Sequence, residues 1–131
     1  HPGLHALDIN TGEIIWRSPM ADSCAGKDNC LPGIAQAIAV TDQLVFTGGM
    51  DGVLRIYDTA SGDVLWQYQT ARAFTGINGV EGMGGSFAGG SGPVAYGNML
   101  LASSGYAFNG LMPGNMLLAF ELQPESDRLQ K

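Results

Sequence analysis

Charge is scarce in this chain. Only 14% of its 131 residues are charged, the balance is −6, and the six basic residues (Arg17, Lys27, Arg55, Arg72, Arg128 and Lys131) are scattered. A surface that grips nucleic acid or anionic lipid clusters Lys and Arg against phosphates, so neither is the expected partner. Long apolar runs are missing too: none approaches the roughly 20 residues that a membrane-spanning helix needs. The only histidines, His1 and His5, sit at the extreme N-terminal end, which leaves no support for a Ser-His-Asp or Cys-His catalytic set. Gly90-Ser-Gly-Pro-Val-Ala95 fits a dinucleotide-type G-x-G-x-x-A, but Pro93 interrupts it and a strand rather than a helix follows. No Gly-Lys-Ser/Thr occurs anywhere, so the helix N-terminus that would cradle a phosphate is absent from the pattern.

Cysteine is equally sparse. Cys24 and Cys30 stand in a polar, Gly-containing stretch that ends in Leu31-Pro-Gly33. A disulfide between them would close a small loop and contribute roughly 2 kcal/mol by chain entropy. Free thiols are the alternative reading. Zinc would need two further ligands, and the two histidines are poorly placed to supply them. A disulfide implies the periplasm or the cell exterior.

What the chain does have is glycine and repetition. Twenty glycines mean many turns, and one stretch occurs twice at an offset of 50 residues: Leu4, Asp8, Gly12 and Trp16 recur as Leu54, Asp58, Gly62 and Trp66. Each copy reads as a strand, a tight turn with glycine at its positive-φ position, and a second strand. Upstream of the second copy, residues 38–41 and 44–48 add two strands. A third, partial copy aligns Leu54 to Asp58 with Leu117 to Glu121, with eight residues inserted within 105–114. Strand-turn-strand content at this period is the signature of a β-propeller blade. The expected fold is therefore all-β, a partial propeller of about two and a half four-stranded antiparallel blades. Residues 1–20 would end one blade, 36–70 would make a complete blade, 93–122 would supply three strands of another, and 123–131 would be a frayed tail. A closed propeller needs about four to eight blades. The chain also starts at His1 without an initiator Met. The expectation is a piece or processed product of a longer protein, or a subunit that completes its ring with other copies.

Several residues carry two readings. Trp16 and Trp66 could stack on a flat cofactor, but recurrence at one blade coordinate points to the blade's own packing. Asp8, Asp51 and Asp58 could ligate a metal, but each stands at a turn where its side chain caps backbone N–H groups. Residues 76–92 read as one long Gly-rich loop, and loops of that length are usually functional or disordered. With the inserted 105–114 loop it is the expected rim of a site.

The pattern Asp-x-x-Thr/Ser-Gly-x-x-x-Trp, at Asp8 to Trp16 and at Asp58 to Trp66, resembles the tryptophan-docking repeat of the pyrroloquinoline quinone (PQQ) enzyme propellers. More specifically, the cysteine loop with Leu31-Pro-Gly33, then Asn78-Gly-Val80, Gly84-Gly-Ser86, Gly92-Pro-Val94, Ser104-Gly-Tyr106 and Met112-Pro-Gly-Asn115, resembles the C-terminal part of cytochrome-linked polyvinyl alcohol dehydrogenases. The resemblance covers residues 4 to about 122. It implies an eight-bladed periplasmic propeller that binds PQQ and usually Ca²⁺ near its axis, oxidises an alcohol and passes electrons to a cytochrome c. Metal ligands and the catalytic base of that family lie in earlier blades, so no catalytic or metal residue is assigned here, and the chain alone is expected to bind no cofactor and to be inactive. Ser104-Gly-Tyr106 resembles the last-blade segment that approaches the cofactor, which makes Gly105, Tyr106 and Asn109 the cofactor-binding candidates. Asp8, Gly12, Trp16, Asp58, Gly62 and Trp66 take the structural docking role. Related sequences often place a Trp shortly after that Tyr, where this chain has Ala107-Phe108-Asn109, and the competing reading is that Tyr106 and Phe108 only pack the inserted loop. The alternative function is a non-catalytic scaffold, or a self-assembling module, that binds protein partners through loops or open strand edges.

Overall fold

A computed structural model describes residues 1–107 and 110–123. The fold is all-β, a partial propeller built from eleven strands among the described residues: β1 (Gly3–Leu7), β2 (Ile14–Pro19), β3 (Ala39–Val40), β4 (Leu44–Gly48), β5 (Val53–Asp58), β6 (Val64–Gln69), β7 (Ala73–Thr75), β8 (Glu81–Met83), β9 (Val94–Tyr96), β10 (Met99–Ser104) and β11 (Met116–Glu121). They form a two-stranded sheet β1-β2, a four-stranded sheet β3-β4-β5-β6, a three-stranded sheet β11-β10-β9 and a small hairpin β7-β8, every strand pair antiparallel. Among the described residues no helix is long and apolar enough to cross a membrane.

The repeated turns have one construction. Asp8 Oδ1 accepts the N–H groups of Asn10 and Thr11 at 2.8 and 2.9 Å, and Asp58 Oδ1 accepts those of Ala60 and Ser61 at 2.8 Å each. Gly12 and Gly62 follow at φ 73° and 77°, where a side chain would be strained. A bulge falls at the same place in both copies, between Ala6 and Leu7 and between Ile56 and Tyr57. The extra residue increases local twist, which lets stacked sheets follow one another around an arc.

The middle strands of the four-stranded sheet, β4 and β5, are buried on both faces. On one side Val45 and Tyr57 pack with Leu4, Trp16 and Ile34; on the other Phe46 and Leu54 pack with Phe87, Leu100 and Ala102, flanked by Trp66 and Phe120. Trp16 lies across Gly62, where a Cβ would collide with its ring, and its Nε1 donates to the Thr59 carbonyl at 2.9 Å. Trp66 is stacked beside Tyr68 and meets Phe120 edge-on at 5.3 Å. Both tryptophans are thus packing residues between sheets.

Three differences from the sequence reading stand out. Residues 76–92 are not one loop, because β8 lies among them and pairs back on β7. The first strand of the four-stranded sheet is shorter than the sequence suggested, Ala39–Val40 only. Asp51 does cap a turn, accepting Val53 N–H at 3.1 Å, but it is also buried in an ion pair with Arg55 at 2.6 Å. The tail from residue 124 lies outside the described residues.

Candidate functional site

Three connections meet beside the β4–β5 turn: residues 20–38 between β2 and β3, residues 84–93 leading to β9, and residues 105–107 with 110–115 between β10 and β11. They are tied by backbone. Met50 N–H donates to Gly33 O at 2.8 Å, Phe87 N–H to Gly49 O at 3.0 Å, Ser86 N–H to Met112 O at 2.9 Å and Gly105 N–H to Ser86 O at 3.1 Å. Beneath them lies a buried hydroxyl pair, with Thr70 Oγ1 and Ser104 Oγ 2.7 Å apart; Ser104 Oγ also accepts Gly85 N–H at 2.9 Å. Such a network keeps buried polar groups satisfied and fixes the segments that carry them.

Gly105 belongs to this floor. It is buried, has φ 91°, and its missing side chain is what allows the backbone of Gly114 to press against it, with Gly114 N–H donating to Gly105 O at 2.8 Å. Tyr106 is the next residue and points outward. Its ring lines an open cleft of about 470 Å³ together with Gln36, Ser91, Ser103 and Leu117. Its hydroxyl donates to the Asn115 carbonyl at 3.4 Å. Asn115 in turn rims a second open cleft of about 610 Å³, shared with Ala73, Glu81, Met83, Pro113 and Gly114. The Asn115 side chain accepts Met83 N–H at 3.1 Å, which fastens hairpin β7-β8 to the same rim. Asn109 lies outside the described residues.

The linings are mostly neutral, with the apolar side chains of Ala73, Met83, Pro113, Ala88 and Leu117 beside amides, hydroxyls, glycine backbone and one phenol. Glu81 is the one carboxylate among them, and it accepts the Thr75 hydroxyl at 2.7 Å. Among the described residues no Lys or Arg lines either cleft, and no three His, Cys, Asp or Glu side chains converge on a point. The arrangement can present hydrogen bonds and an aromatic ring to the edge of a flat polar ligand. Of the residues lining these clefts, the sequence reading named Tyr106 as a candidate and did not name Gln36, Ser103 or Asn115 as one. Asn115 was visible as the end of Met112-Pro-Gly-Asn115, whereas Gln36 carries no local signal and reaches the cleft only because the chain folds back along residues 88–91.

Asp8 and Asp58 lie outside the clefts. The N–H groups of Thr11 and then Asn10 hold the Asp8 carboxyl below its usual value, and those of Ser61 and then Ala60 do the same for Asp58. Cys24 and Cys30 form a disulfide.

A family model, PQQ_2, described as outer membrane protein assembly factor BamB, matches residues 1–119. The chain is 36% identical over 134 residues to a polyvinylalcohol dehydrogenase of Sphingopyxis sp. (strain 113P3), covering 92% of this chain and 20% of that protein. A polyvinylalcohol dehydrogenase of Pseudomonas sp. is 34% identical over 132 residues, with the same 92% and 20% coverage. A quinohemoprotein alcohol dehydrogenase of Comamonas testosteroni is 32% identical over 68 residues, 51% of this chain and 10% of that protein. The chain spans about a fifth of the length of the first two relatives.

Proposed function

Because the chain belongs to the PQQ-repeat β-propeller family, we propose that it acts as the C-terminal propeller segment of a PQQ-dependent alcohol dehydrogenase of the polyvinyl alcohol dehydrogenase kind, in the periplasm or outside the cell. The observation that carries this reading is coverage: similarity to the two polyvinylalcohol dehydrogenases extends over 92% of the chain, connecting loops included. The disulfide supports the compartment.

In such an enzyme the bound quinone, with Ca²⁺, takes up the electrons and protons of an alcohol group, and a cytochrome c receives the electrons. The residues present fit one edge of that group. Tyr106 offers its ring, and the Ser103 hydroxyl and Gln36 amide offer hydrogen bonds, while among the described residues no cation in the linings would balance the quinone's carboxylates. Those charges, the metal ligands and the base toward the alcohol are assigned to the other blades of the longer protein. This chain's share is to shape the rim and exclude water from one side of it.

The test uses the full-length protein that carries these residues, supplied with PQQ and Ca²⁺, and follows alcohol-dependent reduction of a dye. The full-length protein is expected to turn over and the 131-residue chain alone is not. Tyr106→Ala should raise KM about tenfold, the loss of one good contact, and lower kcat less. A full-length protein that neither binds PQQ nor oxidises alcohols would sink the reading, and turnover by the short chain would overturn the placing of the base. One observation favours a second reading, a non-catalytic scaffold that binds protein partners: the matching family model is described as an assembly factor. Absence of PQQ binding together with stable capture of a partner protein would decide for it.

A further inference from the structure

The Cys24–Cys30 ring sits where two sheets exchange contacts, and its attachments are arranged in a definite order. At its base, the residues just outside the bridge are fixed to the β4–β5 turn: the Ser23 hydroxyl donates to the buried Asp51 carboxylate, and Gly33 O accepts Met50 N–H at 2.8 Å. Next to the bridge the Asp22 carboxylate accepts Cys24 N–H at 3.0 Å, and inside the ring Cys24 O accepts Lys27 N–H at 2.9 Å. The bridge is buried, with Cys24 and Cys30 at 5% and 8% exposure. Two ring residues with side chains, Ala25 at φ 47° and Asn29 at φ 59°, are held in the left-handed region. Such conformations persist where the surroundings over-determine them.

The far side of the ring reaches the other sheet. Asn29 O accepts Met112 N–H at 3.0 Å, across 83 positions of sequence, and the Ser86 hydroxyl approaches the same N–H at 3.2 Å. From Met112 the chain runs directly into Pro113, Gly114 and Asn115, which rim the larger cleft, and Asn115 O takes the Tyr106 hydroxyl of the smaller one. One continuous set of bonds therefore leads from the bridge through Asn29, Met112 and Asn115 to Tyr106.

We propose that the Cys24–Cys30 ring is a positioning strut: anchored on the β4–β5 turn, it sets the place of residues 112–115 and, through them, of Tyr106. Its effect on turnover rests on the site reading given above, but the mechanical coupling does not. Without the bridge, residues 24–30 become a flexible span between two anchors, and the Asn29 carbonyl no longer has a fixed place from which to hold Met112.

The experiment is hydrogen exchange on the full-length protein, comparing wild type with Cys24→Ser/Cys30→Ser. Amides in segments 84–88 and 110–116 are expected to exchange about tenfold faster, while those of β4, β5 and β6 keep their rates. Faster exchange confined to 22–33, with 110–116 unchanged, would overturn the strut. Because loss of the bridge could unfold the protein, a second variant inserts two glycines after Lys27, keeping the bond and both anchors but freeing the far side of the ring. It should give the same regional acceleration, and unchanged rates in 110–116 would refute the proposal. Dye reduction is measured in parallel, where a raised KM at little-changed kcat is expected. If exchange responds and KM does not, the strut stands and the assignment of this rim to the alcohol site falls.

Discussion

Asp8 and Asp58 show how one side chain can hold a turn and link it to pH. Backbone N–H groups favour the ionised carboxylate, so each folded pKa lies below its unfolded value. The stabilisation is complete above the unfolded pKa and is lost as pH falls through that value toward the folded one. The chemical-denaturation midpoint should therefore drop between pH 5 and pH 3, and Asp8→Asn/Asp58→Asn should flatten that dependence; an unchanged slope would refute the turn assignment. Tyr57 acts at the other limit. Burial between sheets raises its pKa, against the nearby Arg55 charge. The stabilisation is present below the unfolded value near 10 and is lost as pH rises beyond it. Tyr57→Phe should remove part of the alkaline destabilisation measured between pH 9 and pH 11. Asp51 is a third case, since its buried pairing with Arg55 and Ser23 means that Asp51→Ala leaves a guanidinium buried without its partner. A loss of about 3–5 kcal/mol is expected by denaturant titration, whereas a loss below about 1 kcal/mol would place the pair among surface bridges.

At the scale of elements, the joint between the first two sheets depends on Trp16 resting on Gly62. Gly62→Ala would add a Cβ at φ 77° and drive it into the indole, so strain and overpacking act together. About 2–4 kcal/mol is expected from the combination. Gly12 has the same conformation with open space over it. Gly12→Ala should therefore cost only the backbone part, and the difference between the two midpoints measures the dock itself. Equal losses would mean that the tryptophan contributes nothing through that contact. The β7-β8 hairpin is the element that sequence reading missed. Its strands have three residues each, too few for an alternating pattern to show among the glycines of 76–92. It exists because Asn115 and the β6 end hold it, with Gly84 N–H donating to Arg72 O at 2.9 Å.

For the molecule as a whole, the contrast lies between the middle sheet and the outer ones. In the four-stranded sheet the middle strands β4 and β5 are covered on both faces and only the outer strands expose apolar side chains, whereas the sheet β11-β10-β9 turns Val94, Tyr96, Leu101 and Leu117 to solvent, and the sheet β1-β2 exposes Leu7 and Ile14. Apolar side chains aligned on one sheet face are normally covered by another layer. The 131-residue chain by itself is thus expected to self-associate in sedimentation velocity at tens of micromolar, and Leu101→Lys/Leu117→Lys should reduce that association. A chain that stays monomeric with its apolar faces in water would count against further blades stacking there.

Sequence alone determined the repeating unit, because a strand-turn-strand blade writes its own local rules into the chain. Asp at the turn start and Gly at positive φ answer needs met within a few residues, and Trp at a fixed distance from them marks the repeat, although its partners lie in another sheet. That was enough for the all-β propeller class, the two docking turns and the closeness of Cys24 to Cys30. Tertiary structure decided everything that depends on segments far apart. Asp51 caps its turn as the sequence indicated, but only folding brought Arg55 and the half-buried Ser23 against its carboxylate, and Gln36 reached the Tyr106 cleft only through the approach of 88–91. Asn29 meets Met112 across 83 positions for the same reason: a hydrogen bond between distant backbones has no sequence signature, since every residue carries the same amide.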